Sequence, residues 1–544
     1  MLENPLFLGQ LSEMYRPAKN SLLDPLTVIF RDRNPGRASE RTLATNLLAD
    51  YAADNPAKLA DLIMDADDKQ FAVIYPKLKE RRAQGLPLLT GEIDRKLPAD
   101  IPSSDEKREK LAMRQANAAV ALLKMGQAKK VWPLLKRRKE PDDPRVRSYL
   151  IHGFGPLGAE AGAIIKRLDD EPDITIRRAL ILSLGEFNEK ELPPDAEKAL
   201  LEKLKATYRR DADPGLHAAS EWLLRRWKEE TWLKQVNEEW AKDKEQTEKR
   251  LDGIKQLITK EKERTPTQWY VNGQGQTMVV IPGPVEFLLG SPPTEAGREL
   301  RENQHKRRID RTFALAAKSV TLAEYQRFDP GYGGETQQWS PTGDCPVLGI
   351  SWFQAAAYCN WLSKQEGLPE SEWCYEPLRE AEAVPVLGYK VGMKLAANYL
   401  KRSGYRMPTE PEMEFATRAG SVTSRYYGET EELLPKYAWY NKNGRDRSWP
   451  VGCKKPNDFG LFDVQGNVFT WCQESFKPYP KSKENETTED EEDVLSINLD
   501  NRGLRGGSFG VQASVVRSAF RQGVVPTYRS DGDVGVRPAR TLPP

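Results

Sequence analysis

Long apolar runs are missing from this sequence: nowhere do about 18 to 20 consecutive apolar residues occur, the length a membrane helix needs. The opening residues, MLENPLFLGQLSEMYRPAKN, lack the basic-then-apolar order of a secretory signal. Cysteine is scarce, five in 544 residues without close pairing, which excludes a disulfide scaffold and fits a reduced compartment. A soluble, cytoplasmic chain is therefore expected. Histidine is scarcer still. His152, His217 and His305 show neither HxxxH nor HExxH spacing, so a histidine-held metal centre is excluded, and His305 is expected in a solvated, charged loop. Charge of one sign is also absent. The 82 Lys plus Arg nearly balance 80 Asp plus Glu for a net charge of +2, which argues against nucleic-acid or membrane partners and leaves protein or small-molecule ligands. Kinase motifs, a Gly-rich loop with its lysine or an HRD-like loop, do not occur.

What is present divides the chain into three: a helical scaffold over 1–227, a charged connector over 228–266 and a compositionally different domain over 267–544. The first part is rich in Ala, Leu, Lys, Arg and Glu with apolar residues at helical spacing, as in SERTLATNLLADYAAD, where Ser39 reads as an N-cap. A weak repeat follows: DPRVRSYLIHGFG from Asp143, DITIRRALILSLG from Asp173 and DPGLHAASEWLLRRW from Asp213. Each unit has a capping aspartate, an aliphatic residue three positions on, then Arg or His, then an apolar helix face. This resembles HEAT-type repeats, which stack because one helix pair cannot bury its apolar stripe alone; an irregular helical bundle is the alternative. Trp222, Trp227, Trp232 and Trp240 read as packing residues. Scaffold contacts with a protein partner are the expected role. The mixed-sign run Lys228 to Arg264 reads as a solvated helix.

From Tyr270 glycine, proline and aromatic residues rise and the runs shorten. TMVVIPG (277–283) and VEFLLGS (285–291) read as a hairpin broken at Pro282 and Gly283. Helices are expected from Ser351 to Gly367 and from Thr409 to Gly420, each with a capping hydroxyl. Long aromatic loops such as SRYYGE, YAWYNKNGRDRSWPVG and NDFGLFDVQGNVFTW surround them, an α+β pattern with much irregular structure. ENETTEDEED (484–493) reads as a solvated insertion.

The series GQTMVVIPGPVEFLLGSPP, CPVLGISWFQAAAYCNWLS, GYRMPTEPEMEFATRAG, KPNDFGLFDVQGNVFTWCQE, LRGGSF, RSAFR and GVRPAR resembles, motif by motif and in order, the sulfatase-modifying-factor family of formylglycine-generating enzymes. The resemblance covers residues 268–540 and implies a loop-rich variant of the C-type lectin fold. It also implies oxidation of a sulfatase cysteine by copper(I) held on two thiolates that follow the GGS turn. Soft copper prefers thiolate, yet Val511, Val515 and Val516 occupy that neighbourhood and no cysteine lies there. Copper is therefore not expected and no catalytic residue is assigned. Cys359 and Cys472 are expected to pack. The family's calcium pattern survives only in Asn467, with Thr470 in place of the carboxylate, a weak calcium site at most; Asp458, Asp463 and Glu474 are expected to be solvated. Arg406, Glu410, Arg505, Arg517 and Arg537 are expected to hold loops by charged hydrogen bonds, and Gly506 with Gly507 to allow a tight turn.

The expected function is thus binding rather than oxidation. The surface expected for it comprises Trp471, Phe509, Gly510, Val511, Ala513, Val516, Phe520, Val524, Val525, Tyr528, Asp531 and Asp533, together with Gly523 and Gly532. These tail choices also resemble the variable proteins of diversity-generating retroelements. An active copper oxidase, or a structural module orienting partners through the repeats, are the alternatives.

Overall fold

A computed structural model of the protein describes residues 9, 12–138, 141–188, 191–192, 194–261, 266–334, 336–376, 394–479, 487–489, 500–529 and 532–543. The chain forms two compact units, Met1–Lys139 with Asp143–Leu200, and Glu140–Asp142 with Leu201–Pro544. No helix among the described residues is long and apolar enough to cross a membrane.

The first unit is all helical. Its longer helices are α1 (Lys19–Arg31), α2 (Ala38–Tyr51), α3 (Pro56–Met64), α4 (Asp68–Glu80), α5 (Arg82–Asp94), α6 (Glu106–Lys124), α7 (Arg145–Gly153), α8 (Ala161–Asp170) and α9 (Ile174–Leu184). Neighbours in sequence pack as pairs, α1 on α2, α3 on α4, α5 on α6 and α8 on α9, and pairs stack through α3 on α6 and α6 on α7. Asp173 caps α9 by accepting from the amides of Thr175 and Ile176. Arg147, at the Arg or His position of its repeat, donates to the carbonyls of Leu135 and Thr175, both at 3.0 Å. Ser39 is not a cap. Asn34 accepts from the Gly36 amide to start a 3₁₀ turn, which runs into α2 one residue ahead of Ser39 and leaves that hydroxyl inside the first turn.

Helix α10 (Pro194–Arg210) spans the division between units, and α11 (Pro214–Arg226), α12 (Glu230–Lys242) and α13 (Lys244–Glu261) belong to the second. Asp213 caps α11 through the Leu216 amide, and His217 donates through Nδ1 to the Tyr208 carbonyl at 2.8 Å, the counterpart of Arg147. The charged run after Lys228 is not a free-standing solvated helix. It folds as α12 and α13, which bury Leu233, Val236, Ile254 and Ile258 and pack on β1 (Gln268–Val271). Tyr208, His217, Trp240 and Trp269 stack together, with His217 3.7 Å from Trp269, so these tryptophans are packing residues.

Beyond β1 the chain builds a five-stranded antiparallel sheet from β1, β2 (Thr277–Ile281), β5 (Phe313–Ala316), β14 (Ala539–Thr541) and β8 (Tyr405–Arg406), in that order. The last strand thus enters the middle of the sheet. A three-stranded sheet orders β10 (Thr487–Glu489), β4 (His305–Ile309) and β3 (Val285–Leu289). The expected β2–β3 hairpin does not form, because β2 pairs with β1 and β5 while β3 pairs with β4. Gly283 lies where an added Cβ would come within 2.2 Å of the Arg311 carbonyl, so the chain turns there from one sheet into the other. A two-stranded ribbon joins β6 (Tyr375–Glu376) to β7 (Lys394–Leu395), and a four-stranded sheet orders β12 (Arg521–Val524), β11 (Arg502–Arg505), β9 (Phe469–Ser475) and β13 (Val534–Gly535). Two capping boxes start the helices expected here: Ser351 with Gln354 for α14 (Trp352–Gln365), and Thr409 with Glu412 for α15 (Glu410–Arg418). Of the acidic run 484–493 only Thr487–Glu489 lies among the described residues, as β10 beside β4.

Candidate functional site

β11 and β12 are an antiparallel pair, and the segment between them, 506–520, is the tail loop that carries the sequence-level expectations. It leaves β11 through Gly506 and Gly507, whose φ of 95° and 78° lie where only glycine is unstrained. Buried arginines then fix its path. Arg425 donates to the carbonyls of Val516 and Ala513 at 3.0 and 2.7 Å, and Arg505 to Ser518 at 3.2 Å. Arg517 is held by Glu302 at 2.8 Å and by Glu295. At its root Arg505 and Arg521 share Glu410, and Arg505 also reaches Glu414 at 2.6 Å. These arginines hold Glu410 down at about 2 against the burial that would raise it. Arg406 forks onto Glu412 with two 2.7 Å bonds, and Arg537 donates to the carbonyls of Ala316 and Phe462. The arginines read as loop supports have that role.

Asn467 is the hub of the exposed face. Its φ is 63° and it is fully buried. Its amide oxygen accepts from the Trp449 amide at 3.0 Å and its Nδ2 donates to the Trp449 carbonyl at 2.9 Å, while its own N–H goes to Trp439 and its carbonyl receives Phe509. Asn441 meets Val511 across the same face. Trp439 and Trp449 thereby stack at 4.4 Å and 11°, half-buried, with Lys454 3.5 Å over the first ring and Arg447 4.3 Å over the second. Burial lowers the Lys454 ammonium to about 8. Both tryptophans lie in the loop YAWYNKNGRDRSWPVG, and the nine residues between them give no periodic signal of their pairing.

Five of the twelve expected binding residues are buried away from solvent. Trp471, Phe509, Ala513, Val516 and Phe520 are buried; Trp471 belongs to the main core and donates to the Ile350 carbonyl at 2.8 Å. Val511, Val524, Tyr528 and Asp533 are half-buried, and Gly510 and Val525 are exposed. Asp533 accepts from Ser508 at 3.0 Å. Asp531 lies outside the described residues. Gly523 and Gly532 are not free choices, because an added Cβ would meet the Phe476 ring at 2.4 Å and the Trp339 ring at 2.7 Å. Two residues expected in water are also inside: His305, at the start of β4, donates through Nδ1 to the Asn303 carbonyl at 3.0 Å and packs against Tyr479, and Asp463 is 3% exposed, its carboxyl raised by burial. Glu474 accepts the Glu410 amide at the start of α15 instead of standing free in solvent.

The donor sets for metals fail on inspection. Around Gly507 the nearest side-chain atoms are methyls of Val516 and Val511, at 3.3 and 3.5 Å from an added Cβ. Cys345, Cys359, Cys374 and Cys472 are buried, and burial pushes the Cys374 thiol up to about 12 and those of Cys359 and Cys472 well above their ordinary value. Thiols held neutral by burial are poor ligands for a two-thiolate copper site. For calcium, Asn467 is committed to Trp449, and among the described residues no three His, Cys, Asp or Glu side chains gather to hold an ion.

Residues 263–542 match the Sulfatase-modifying factor enzyme 1-like domain, more than half of the chain. The chain belongs to this family. It is similar to the Chaperone protein LppX of Paenibacillus barcinonensis, 27% identical over 31% of this chain and 68% of the relative. The Formylglycine-generating enzyme of Mycobacterium tuberculosis is 29% identical over 31% of this chain and 60% of its own length. The Inactive C-alpha-formylglycine-generating enzyme 2 of Mus musculus is 26% identical over 38% of this chain and 71% of its own. The chain thus spans only part of each relative. In this domain Gly506 and Gly507 make the turn, buried arginines support the loop beyond it, and valines line the turn.

Proposed function

We propose that the sulfatase-modifying-factor domain of this protein is a recognition module without oxidase activity. It binds a protein or small-molecule ligand through the face that joins the stacked Trp439 and Trp449 to the tail loop, and the helical unit offers a scaffold for further protein contacts. The observation that carries the reading is the pair of valine methyls packed around Gly507, where copper chemistry would need thiolates. A binding face needs rigid support with variable tips, and the tail supplies both: its backbone is clamped by Arg425, Arg505 and Arg517, while Gly510, Gln512, Ser514 and Val525 point outward. That a mouse relative carries the name of an inactive enzyme is consistent with loss of oxidation on this fold. Diversification by a retroelement would be confined to these exposed tips with Val511, Val524 and Tyr528, since buried Ala513, Val516 and Phe520 cannot accept arbitrary side chains.

Incubation of the purified protein with copper(I), oxygen and a sulfatase-type cysteine peptide tests this, with the peptide mass followed over time. The expected result is an unchanged peptide beside an active control enzyme. Conversion to the aldehyde overturns the reading.

A further inference from the structure

The second unit contains a cleft lined by no residue of the tail loop. It is about 540 Å³ in volume, within the ~300–1,000 Å³ range of small-molecule sites. One wall is a single face of α12, with Glu230, Lys234, Asn237, Glu238 and Ala241 at helical spacing; the other is the β1–β2 turn and the stretch after β5. Arg225 and α12 precede residue 263, where the family match begins, so the cleft arises from this chain's own combination of helices and domain.

Its floor is chemically divided. At one end the Lys318 ammonium and the Arg225 guanidinium converge on the same Oε1 of Glu221, a carboxylate that is 1% exposed. Two cations share one carboxylate there. Asp463 also senses Lys318, but together with Arg537 and Lys454, so positive charge stays in excess at this end. Beside Lys318, the Ser319 hydroxyl is 2% exposed, lines the cleft and has no hydrogen-bond partner among the described residues. A buried hydroxyl left unpaired carries a desolvation penalty that a ligand oxygen would relieve. A carboxylate lines the same cleft. Glu324 uses Oε2 for the Thr321 amide at 2.9 Å and Gln276 Nε2 at 3.2 Å, and its Oε1 takes no hydrogen bond among the described residues. Around the whole lining carboxylates and cations are equal in number, which disfavours a polyanion such as a nucleotide and suits a ligand bearing one charge of each sign.

We propose that this cleft binds a small zwitterion of the α-amino-acid class, its carboxylate at Lys318 and Ser319 and its ammonium at Glu324. Binding is independent of the tail-loop face.

Thermal shift and calorimetry on the full chain test this with a panel of free L-amino acids, their N-acetyl and amide forms, acetate and methylammonium. At least one free amino acid is expected to bind with a Kd below about 1 mM, and its blocked forms at least ~10-fold more weakly. Ser319→Ala is expected to weaken binding several-fold while leaving the melting temperature equal or higher, which a merely structural hydroxyl would not do. Ala323→Trp, an exposed rim residue beside Gly343, is expected to abolish binding without unfolding the chain. No binding by any free amino acid at about 10 mM overturns the proposal. So does equal binding of blocked forms or single-charge ions, or unchanged binding by the Ala323→Trp variant.

Discussion

The two units meet the same demand, a partner for every buried backbone group, in opposite ways. In the helical unit the backbone satisfies itself within each helix. Some of its arginines form surface pairs close in sequence, such as Arg16 with Glu13 and Arg37 with Glu40, each three residues apart with arginine side chains 40% exposed. Buried Arg147 instead donates to the carbonyls of Leu135 and Thr175, 12 and 28 residues away. In the sulfatase-modifying-factor domain long loops cannot pair their own amides and carbonyls. Arginine is drawn inside to do so: Arg406, Arg505, Arg517, Arg521 and Arg537 are at most 2% exposed. Arg406 pairs with Glu412 six residues on, but the partners of the others include remote ones, 222 residues away for Arg517 with Glu295 and 221 for Arg537 with Ala316. Arginine contacts thus span up to 53 residues in the helical unit, as for Arg114 with Asp61, and up to 222 in the domain.

Breaking the buried network should have the largest effect. Glu410→Ala leaves Arg505 and Arg521 buried without their shared carboxylate, a change of about 3–5 kcal/mol. Urea unfolding should show an early transition for the domain and an unmoved one for the helical unit, whereas Glu13→Ala should shift neither. A wild-type profile for Glu410→Ala would mean that Glu414 alone suffices and the contrast is overstated.

Acid should separate the units next. Burial among aromatic rings lowers His217 from 6.5 to about 3. The unfolded chain therefore binds the proton first, so this contribution to stability is complete above pH 6.5 and is lost as pH falls from 6.5 towards 3, by about 1.4 kcal/mol per unit. Glu410 and Glu412, lowered to about 2, add losses of the same sign only below about 4.5. Denaturation midpoints between pH 4.5 and 6.5 should fall for the wild type and flatten in His217→Phe. A slope that persists in the variant would assign it to another group.

Gly523→Ala should cost about 1–3 kcal/mol by forcing a methyl against the Phe476 ring, with little effect on the helical unit. The smallest change is Asp173→Ala, which removes the α9 cap for about 1 kcal/mol and should lower only the helical transition. If it lowered both transitions together, the two units would unfold as one.

Much was legible without coordinates. Ordered motifs identified the domain, the spacing of apolar residues found the helices around Asp173 and Asp213, and the hydroxyls of Ser351 and Thr409 marked helix starts that the capping boxes confirm. The tail was harder. Val516 and Phe520 looked like surface choices because a loop sequence carries no periodicity to reveal which side chains turn inward. His305 and Asp463 looked solvated from their charged or glycine-rich neighbours, yet Tyr479 packs over one and the Gly452 amide donates to the other.

By itself the sequence determined the helix faces, their caps and the absence of thiols from the tail, since each depends on residues within a turn or two of one another. The tertiary structure alone decided that β2 and β3 join different sheets, that β14 enters between β5 and β8, and that Lys318 and Arg225 meet on one buried carboxylate. Those outcomes depend on which distant segments share a core, and side-chain spacing along the chain does not encode the partner across it.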